Sequence, residues 1–139
     1  RMLKASPLLW FTDSCQYAGI MDYMELTRHE RLADSLDELL PVLIEAYDPE
    51  KVVLFGSMAR GNVAEWSDLD LLIVKETDEP FLDRSVRVAL LCRAVVGVDY
   101  LVYTPAELAD MIERGNPFIL EALREGQVLY ERRTDPSLA

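Results

Sequence analysis

Chemistry in this sequence concentrates at a glycine–serine pair and three aspartates. Gly56-Ser57 is followed, after ten intervening residues, by Asp68-Leu-Asp70, which runs directly into Leu71-Leu-Ile-Val74. Gly56 lets the backbone turn sharply and come close to a ligand, and Ser57 stands where a helix begins, so free N–H groups and the helix dipole there favour phosphate. Side chains alternate across a strand, so Asp68 and Asp70 share a face, roughly 6–7 Å apart by the per-residue rise. That spacing suits two carboxylates gripping a pair of Mg²⁺ ions about 3.5–4 Å from each other. Taken singly, a Gly-Ser pair is usually just a turn, and an Asp-x-Asp at a strand start is usually solvated edge polarity. Here the acidic pair opens a strand whose next four residues are apolar, and two like charges beside a core repel each other unless a cation compensates. Asp99, inside Val98-Asp-Tyr-Leu-Val-Tyr103, adds a third carboxylate in an otherwise apolar strand. Alone it reads equally well as an edge aspartate facing water; beside Asp68 and Asp70 it completes a set. Such a set can hold a pair of metal ions beside an attacking hydroxyl and help its proton leave.

These residues need a scaffold, whose pattern the remaining sequence supplies. From Glu25 to Tyr47 the residues Leu32, Leu36, Leu39, Leu40, Leu43, Ile44 and Tyr47 recur at three- and four-residue steps, predicting an amphipathic helix that Pro41 kinks or restarts. Lys51-Val-Val-Leu-Phe55, stopped by Gly56, has the pattern of a buried strand ending in a tight turn. Ser57 to Gly61 reads as one helical turn, the following stretch to Ser67 as a loop, and Asp68 to Val74 as a second strand. Phe81 to Val95 predicts a helix, with Leu82, Val86, Ala89, Leu90 and Arg93 at helical steps, and Val98 to Tyr103 a third strand. Thr104-Pro-Ala-Glu107 is a capping box with proline at the first helical position; Asn116-Pro117 opens another helix by the same logic, and Gly126 ends it. Gln127 to Glu131 forms a last strand. The expected fold is α/β (α+β), a mixed sheet with helices packed on one face.

Residues 1–20 show neither period and read as an extension of unknown role, with Met21 and Met24 as candidate starts; 21–133 read as one domain and 134–139 as a tail. At 139 residues and 50% hydrophobic content, a single domain buries a core without disulfides or a structural metal. Cys15 and Cys92 stand far apart, with no companion at a metal-ligand spacing, so a reducing cytosol is the simplest home. The apolar start at Leu8, Leu9, Trp10 and Phe11 is too short for a secretory segment, and no run reaches the roughly 20 residues that cross a bilayer. A net charge of −11 argues against direct binding to nucleic-acid phosphates and suits a basic partner or cations at an acidic site, though it serves solubility equally well.

Together, Gly56-Ser-Met-Ala-Arg-Gly61, Ser67-Asp-Leu-Asp-Leu-Leu-Ile-Val74 and Val98-Asp-Tyr-Leu-Val102 resemble the signature of the minimal nucleotidyltransferases, the smallest members of the DNA polymerase β superfamily. The likeness spans about residues 25 to 131, including Asn116-Pro-Phe-Ile-Leu-Glu-Ala-Leu-Arg-Glu-Gly126. It implies a polymerase β-like fold in which Asp68, Asp70 and Asp99 are the catalytic metal ligands for two Mg²⁺ ions and Gly56 and Ser57 hold the triphosphate of ATP. Arg60 is a candidate for neutralising phosphate charge, with a plain surface role as the alternative. Members often carry arginine directly after the serine, where this chain has Met58. His29 reads as an exposed helix residue, Trp66 as packing against the sheet, and Tyr100 and Tyr103 as framework.

The resemblance further implies a partner. Such domains are commonly paired with a helical HEPN toxin in a type VII-like toxin–antitoxin couple, the nucleotidyltransferase adding AMP to a tyrosine of the HEPN ribonuclease. Two alternatives stand beside this: a binding module that neutralises its partner by contact alone, and a small-molecule nucleotidyltransferase of the aminoglycoside type. Assembly as a homo- or hetero-oligomer is compatible with each.

Overall fold

The computed structural model describes residues 27–64 and 67–133; Trp66, Cys15 and the apolar start at 8–11 lie outside them. The first helix, α1 (Arg28–Val42), opens on a capping box: the Thr27 side chain accepts from the Glu30 N–H while the Glu30 carboxylate accepts from the Thr27 N–H. Its buried stripe, Leu32, Leu36 and Leu39, follows the expected helical steps. The α-helix runs through Pro41 to Val42. Proline offers no N–H, and directly after it the Leu43 N–H is shared between the Leu39 and Leu40 carbonyls as the chain widens into a π-helical turn, Leu43–Tyr47.

Strand β1 (Lys51–Phe55) leads into the short helix α2 (Gly56–Arg60), then β2 (Leu69–Val74), α3 (Phe81–Cys92), β3 (Val98–Tyr103), α4 (Pro105–Glu113), α5 (Pro117–Glu125) and β4 (Gln127–Glu131). The sheet runs β3-β2-β1-β4, with β1 antiparallel to β2 and β4, and β2 parallel to β3. This is the expected mixed sheet, but the helices cover both faces rather than one. Leu54, Leu69, Leu71, Ile73 and Val102 point into a core shared with α1, the π-helical turn and Val88 of α3. Their neighbours Val53, Phe55, Leu72 and Val74 point the other way, onto Ile119 and Ala122 of α5 and Leu108 of α4. A strand that is apolar at every position, as Val52–Phe55 and Leu71–Val74 are, has two faces to bury.

Helix α3 ends at Cys92, before Val95, because Arg93 adopts a left-handed conformation with φ 47. It runs beside the edge strand β3, and Ser85 Oγ donates to the Tyr100 carbonyl at 2.7 Å. Arg84, 5% exposed, is the charged residue on its buried side. Its guanidinium donates to the carbonyls of Glu79 and Val102 and to both oxygens of Glu107, at 2.7–3.2 Å. A buried arginine is tolerable when each of its three nitrogens has a partner in this way. Glu107 closes the Thr104 capping box as well, so one carboxylate fastens α4 to α3 and β3. Hydrogen bonds from Arg84, then from Thr104, hold its carboxyl below the usual range.

Glu107→Ala should therefore destabilise the domain by about 2–3 kcal/mol at pH 7, a buried-pair cost lowered because Glu107 itself is partly exposed. A depressed carboxyl stabilises above its unfolded pKa and loses that contribution as pH falls through the folded value. The gap between variant and wild type in urea unfolding should close below about pH 4; a gap unchanged at pH 3 would show that lost packing, not charge, is the cause.

Candidate active site

Strand register sets the centre of the site. Phe55 on β1 lies opposite Asp70 on β2, and Asp70 lies opposite Asp99 on β3, so the three form one row across the sheet. Strand parity places this row on the α4–α5 face, where Phe55 joins Leu72 and Val74 against Ile119 and Ala122. Asp70 and Asp99 thus face each other across neighbouring strands, and two carboxylates so placed repel when both are ionised. Burial first, then the charge and hydrogen bond of Asp99, then the charge of Asp68, push the Asp70 carboxyl up to about 6; Arg60 pulls the other way.

Gly56 makes room for this arrangement. Its φ is +78, and a Cβ there would overlap the Asp70 carboxylate. The sequence pattern reads as a sharp turn and a close approach of backbone to a ligand; the turn is present, and the group that lies against Gly56 is the Asp70 carboxylate. Ser57 follows as the second residue of α2, half-buried, with its carbonyl accepting from the Asn62 N–H. Met58 is partly buried and packs against the core cluster that includes Leu32 and Leu36 of α1. Arg60 is half-exposed and paired with Glu125 of α5 at 3.6 Å, so its charge sits at the rim, within electrostatic reach of Asp70.

Asp68 is placed differently from the other two acids. Its carboxylate lies against Gly97, where a Cβ would meet Oδ1 at 2.6 Å. Arg28 donates from Nη2 to Asp68 Oδ1 at 3.3 Å and from Nε to the Ser67 carbonyl at 2.9 Å. Among the described residues no cluster of three acids, histidines or cysteines is close enough to hold a metal ion. Asp70 and Asp99 form the close pair, while Asp68 joins them through its charge. Hard carboxylate oxygens fit a divalent cation, and a pair this strained by like charge is what such a cation relieves.

Arg28 and Gly97 did not stand out in the sequence. Arg28 belongs to a helix whose first turn carries no catalytic pattern; the structure shows Thr27 and Glu30 closing a capping box there, which fixes where the helix begins. His29 is exposed, Tyr100 is buried in the core, and Tyr103 stacks on Phe81 at 5.3 Å, all as their surroundings suggested.

The acids open into a groove of about 510 Å³. Asp70 and Asp99 share it with Phe55, Phe118 and Leu101 on one side and Ser85, Val86 and Ala89 of α3 on the other. Phe118 meets Phe55 edge to face at 5.7 Å, making an aromatic wall. Among the described residues no helix is long and apolar enough to cross a membrane.

Known proteins share this plan. Two Methanocaldococcus jannaschii proteins named "Putative protein adenylyltransferase" are similar in sequence. One, MJ1305, is 27% identical over 109 residues, 73% of each chain. The other, MJ0604, is 30% identical over 83 residues, 58% of this chain and 78% of its own. A crystal structure of "a putative nucleotidyltransferase from Sulfolobus solfataricus" aligns with a TM-score of 0.53 at 23% identity, over 75% of this chain and 84% of that one, a likeness of fold. Residues 37–135, spanning α2, the acidic row and the groove, match the family described as polymerase beta, nucleotidyltransferase, and the chain belongs to that family.

Proposed function

We propose that this nucleotidyltransferase transfers AMP from ATP onto a hydroxyl of a protein, with Mg²⁺ held by Asp70 and Asp99 together with Asp68. The observation that carries this reading is the groove, whose floor is the Asp70–Asp99 pair and whose walls are Phe55, Phe118 and Val86. Apolar and aromatic walls beside a paired-acid floor fit an aromatic hydroxyl such as tyrosine. They fit poorly to a polycationic sugar, which needs acids along its whole length. The names of the two M. jannaschii relatives support a protein acceptor. The resemblance to minimal nucleotidyltransferases suggests a HEPN toxin as that protein, with this chain as its antitoxin.

In this reading Gly56 and Ser57 receive the triphosphate and Arg60 offsets part of its charge at the rim. Bound Mg²⁺ supplies charge neutralisation for the phosphates. The acceptor oxygen bonds to the α-phosphorus as the bond to pyrophosphate breaks, and Asp99, at the acceptor end of the row, takes the proton from the hydroxyl. Pyrophosphate leaves with the bond electrons.

The experiment incubates the purified chain with α-labelled ATP, Mg²⁺ and the product of the neighbouring gene, and reads intact masses of both proteins. The expected result is a gain of one adenylyl group on the partner, absent without divalent metal. A tight complex whose masses never change would replace this reading with neutralisation by contact.

A further inference from the structure

The apolar period of α3 faces water. Leu82, Val86 and Leu90 are 75%, 58% and 66% exposed, in a row of one residue per turn, and Val95 beyond the helix end is 74% exposed. The side of α3 facing the core is instead built from Arg84, Ser85, Val88 and Cys92. Eight residues of helix make a ridge about 12 Å long, enough to seat against one apolar helix of another molecule.

Two hollows flank this ridge, and Val86 lines both. One is the groove that holds Asp70 and Asp99. The other, of about 360 Å³, is bounded by Glu79, Asp83, Arg87, Leu90 and Leu91. Arg87 is spent on Glu79, with hydrogen bonds of 2.6–2.9 Å, so two carboxylates face one guanidinium and the rim keeps a net negative charge. The whole chain carries −11. A second copy would bring like charge against like, and an anionic membrane or nucleic acid would be repelled, whereas a basic protein surface is attracted.

We infer that the Leu82–Val86–Leu90 ridge of α3 is the docking surface for the acceptor protein, which lays a basic, apolar-faced helix across it and thereby delivers its hydroxyl to the Asp70–Asp99 end of the groove. The inference rests on the proposed transfer of AMP to a protein. Catalytic groove and docking ridge meet at Val86, so a molecule seated on the ridge is already within the groove's mouth. Specificity then lies outside the catalytic pocket, on a surface that a free amino acid or small alcohol cannot use.

Leu82→Glu and Leu90→Glu test it, because both side chains are mostly exposed and neither lines the groove with the acids. Melting temperature and Mn²⁺-dependent binding of a fluorescent ATP analogue should stay at wild-type values. KM for the modified protein should rise at least about 30-fold in the double variant, from two lost leucine contacts and added repulsion. In parallel, a benzophenone amino acid placed at position 90 of the full chain is irradiated in cells, and its cross-links are identified by mass spectrometry. The expected cross-link is to the protein that carries AMP. An unchanged KM sinks the inference. So does cross-linking to a second copy, to residues 1–26 of the same chain, to a protein without AMP, or to nothing. If wild type adenylylates no protein at all, the proposed function itself has failed, a result separable from normal transfer with the cross-link elsewhere.

Discussion

Asp70→Asn should lose at least about 10³-fold in nucleotide transfer and, in metal-free buffer at pH 7.5, should melt higher than wild type by roughly 5 °C. The two effects have one origin. The carboxyl pushed up to about 6 is ionised at pH 7.5 against burial and against Asp99. For an acid whose folded pKa is raised, the stabilising form is the protonated one: its contribution is complete below the unfolded value and is lost as pH rises through about 6. An amide carries no charge, so the variant avoids that loss. Its advantage should shrink to nothing below about pH 4, where wild type is protonated too. Adding Mn²⁺ should raise the melting temperature of wild type and leave the variant nearly unmoved. A variant that melts lower than wild type at pH 7.5, or keeps its activity, would remove Asp70 from the centre of the site.

Gly56→Ala should cost activity far more than its loss of stability would suggest. The residue sits at φ +78, where a Cβ costs roughly 1–2 kcal/mol, and that Cβ would also overlap the Asp70 carboxylate. Gly61 offers the control, at φ +74 with nothing within 4 Å of a Cβ. Both alanine variants should lose conformational stability in urea, Gly56→Ala the more because of that overlap. Only Gly56→Ala should also lose transfer, by about 100-fold or more, because displacement of a catalytic group by as little as 1 Å has that effect. Equal activity in the two variants would mean that Asp70 yields to the intruding methyl without consequence, and that the site is more pliable than its packing implies.

Those two residues are legible in the sequence alone, and the reason is physical. Gly56 and the Asp-x-Asp pair sit at strand ends, where spacing along the chain translates directly into position. The capping box at Thr104 and the side-chain N-cap at Asn116 are legible for the same reason, since a cap is made by residues three apart. What fails to show is anything set by contact between distant segments. The period of α3 announces a helix but not which side faces inward. Leu82, Val86 and Leu90 form the more obvious stripe, yet Arg84 and Val88 are the buried positions, because Arg84 finds partners on Glu79, Val102 and Glu107. Helices on both faces follow from strands apolar at every position, a signal present in Val52–Phe55 but outweighed by the expectation of an open face. Arg28, thirty-nine residues from the Ser67 carbonyl that it binds, has no local signature at all.

The hydrogen bonds that α3 sends to β3 also govern how the sheet meets other molecules. An edge strand normally offers a row of open carbonyls on which a foreign strand can nucleate. Here the Tyr100 and Val102 carbonyls already accept from Ser85 and Arg84 of the helix that runs beside the strand, so the β3 edge offers neither to a foreign strand. Among the described residues, the sheet's other edge is β4, and strand addition would be expected there first.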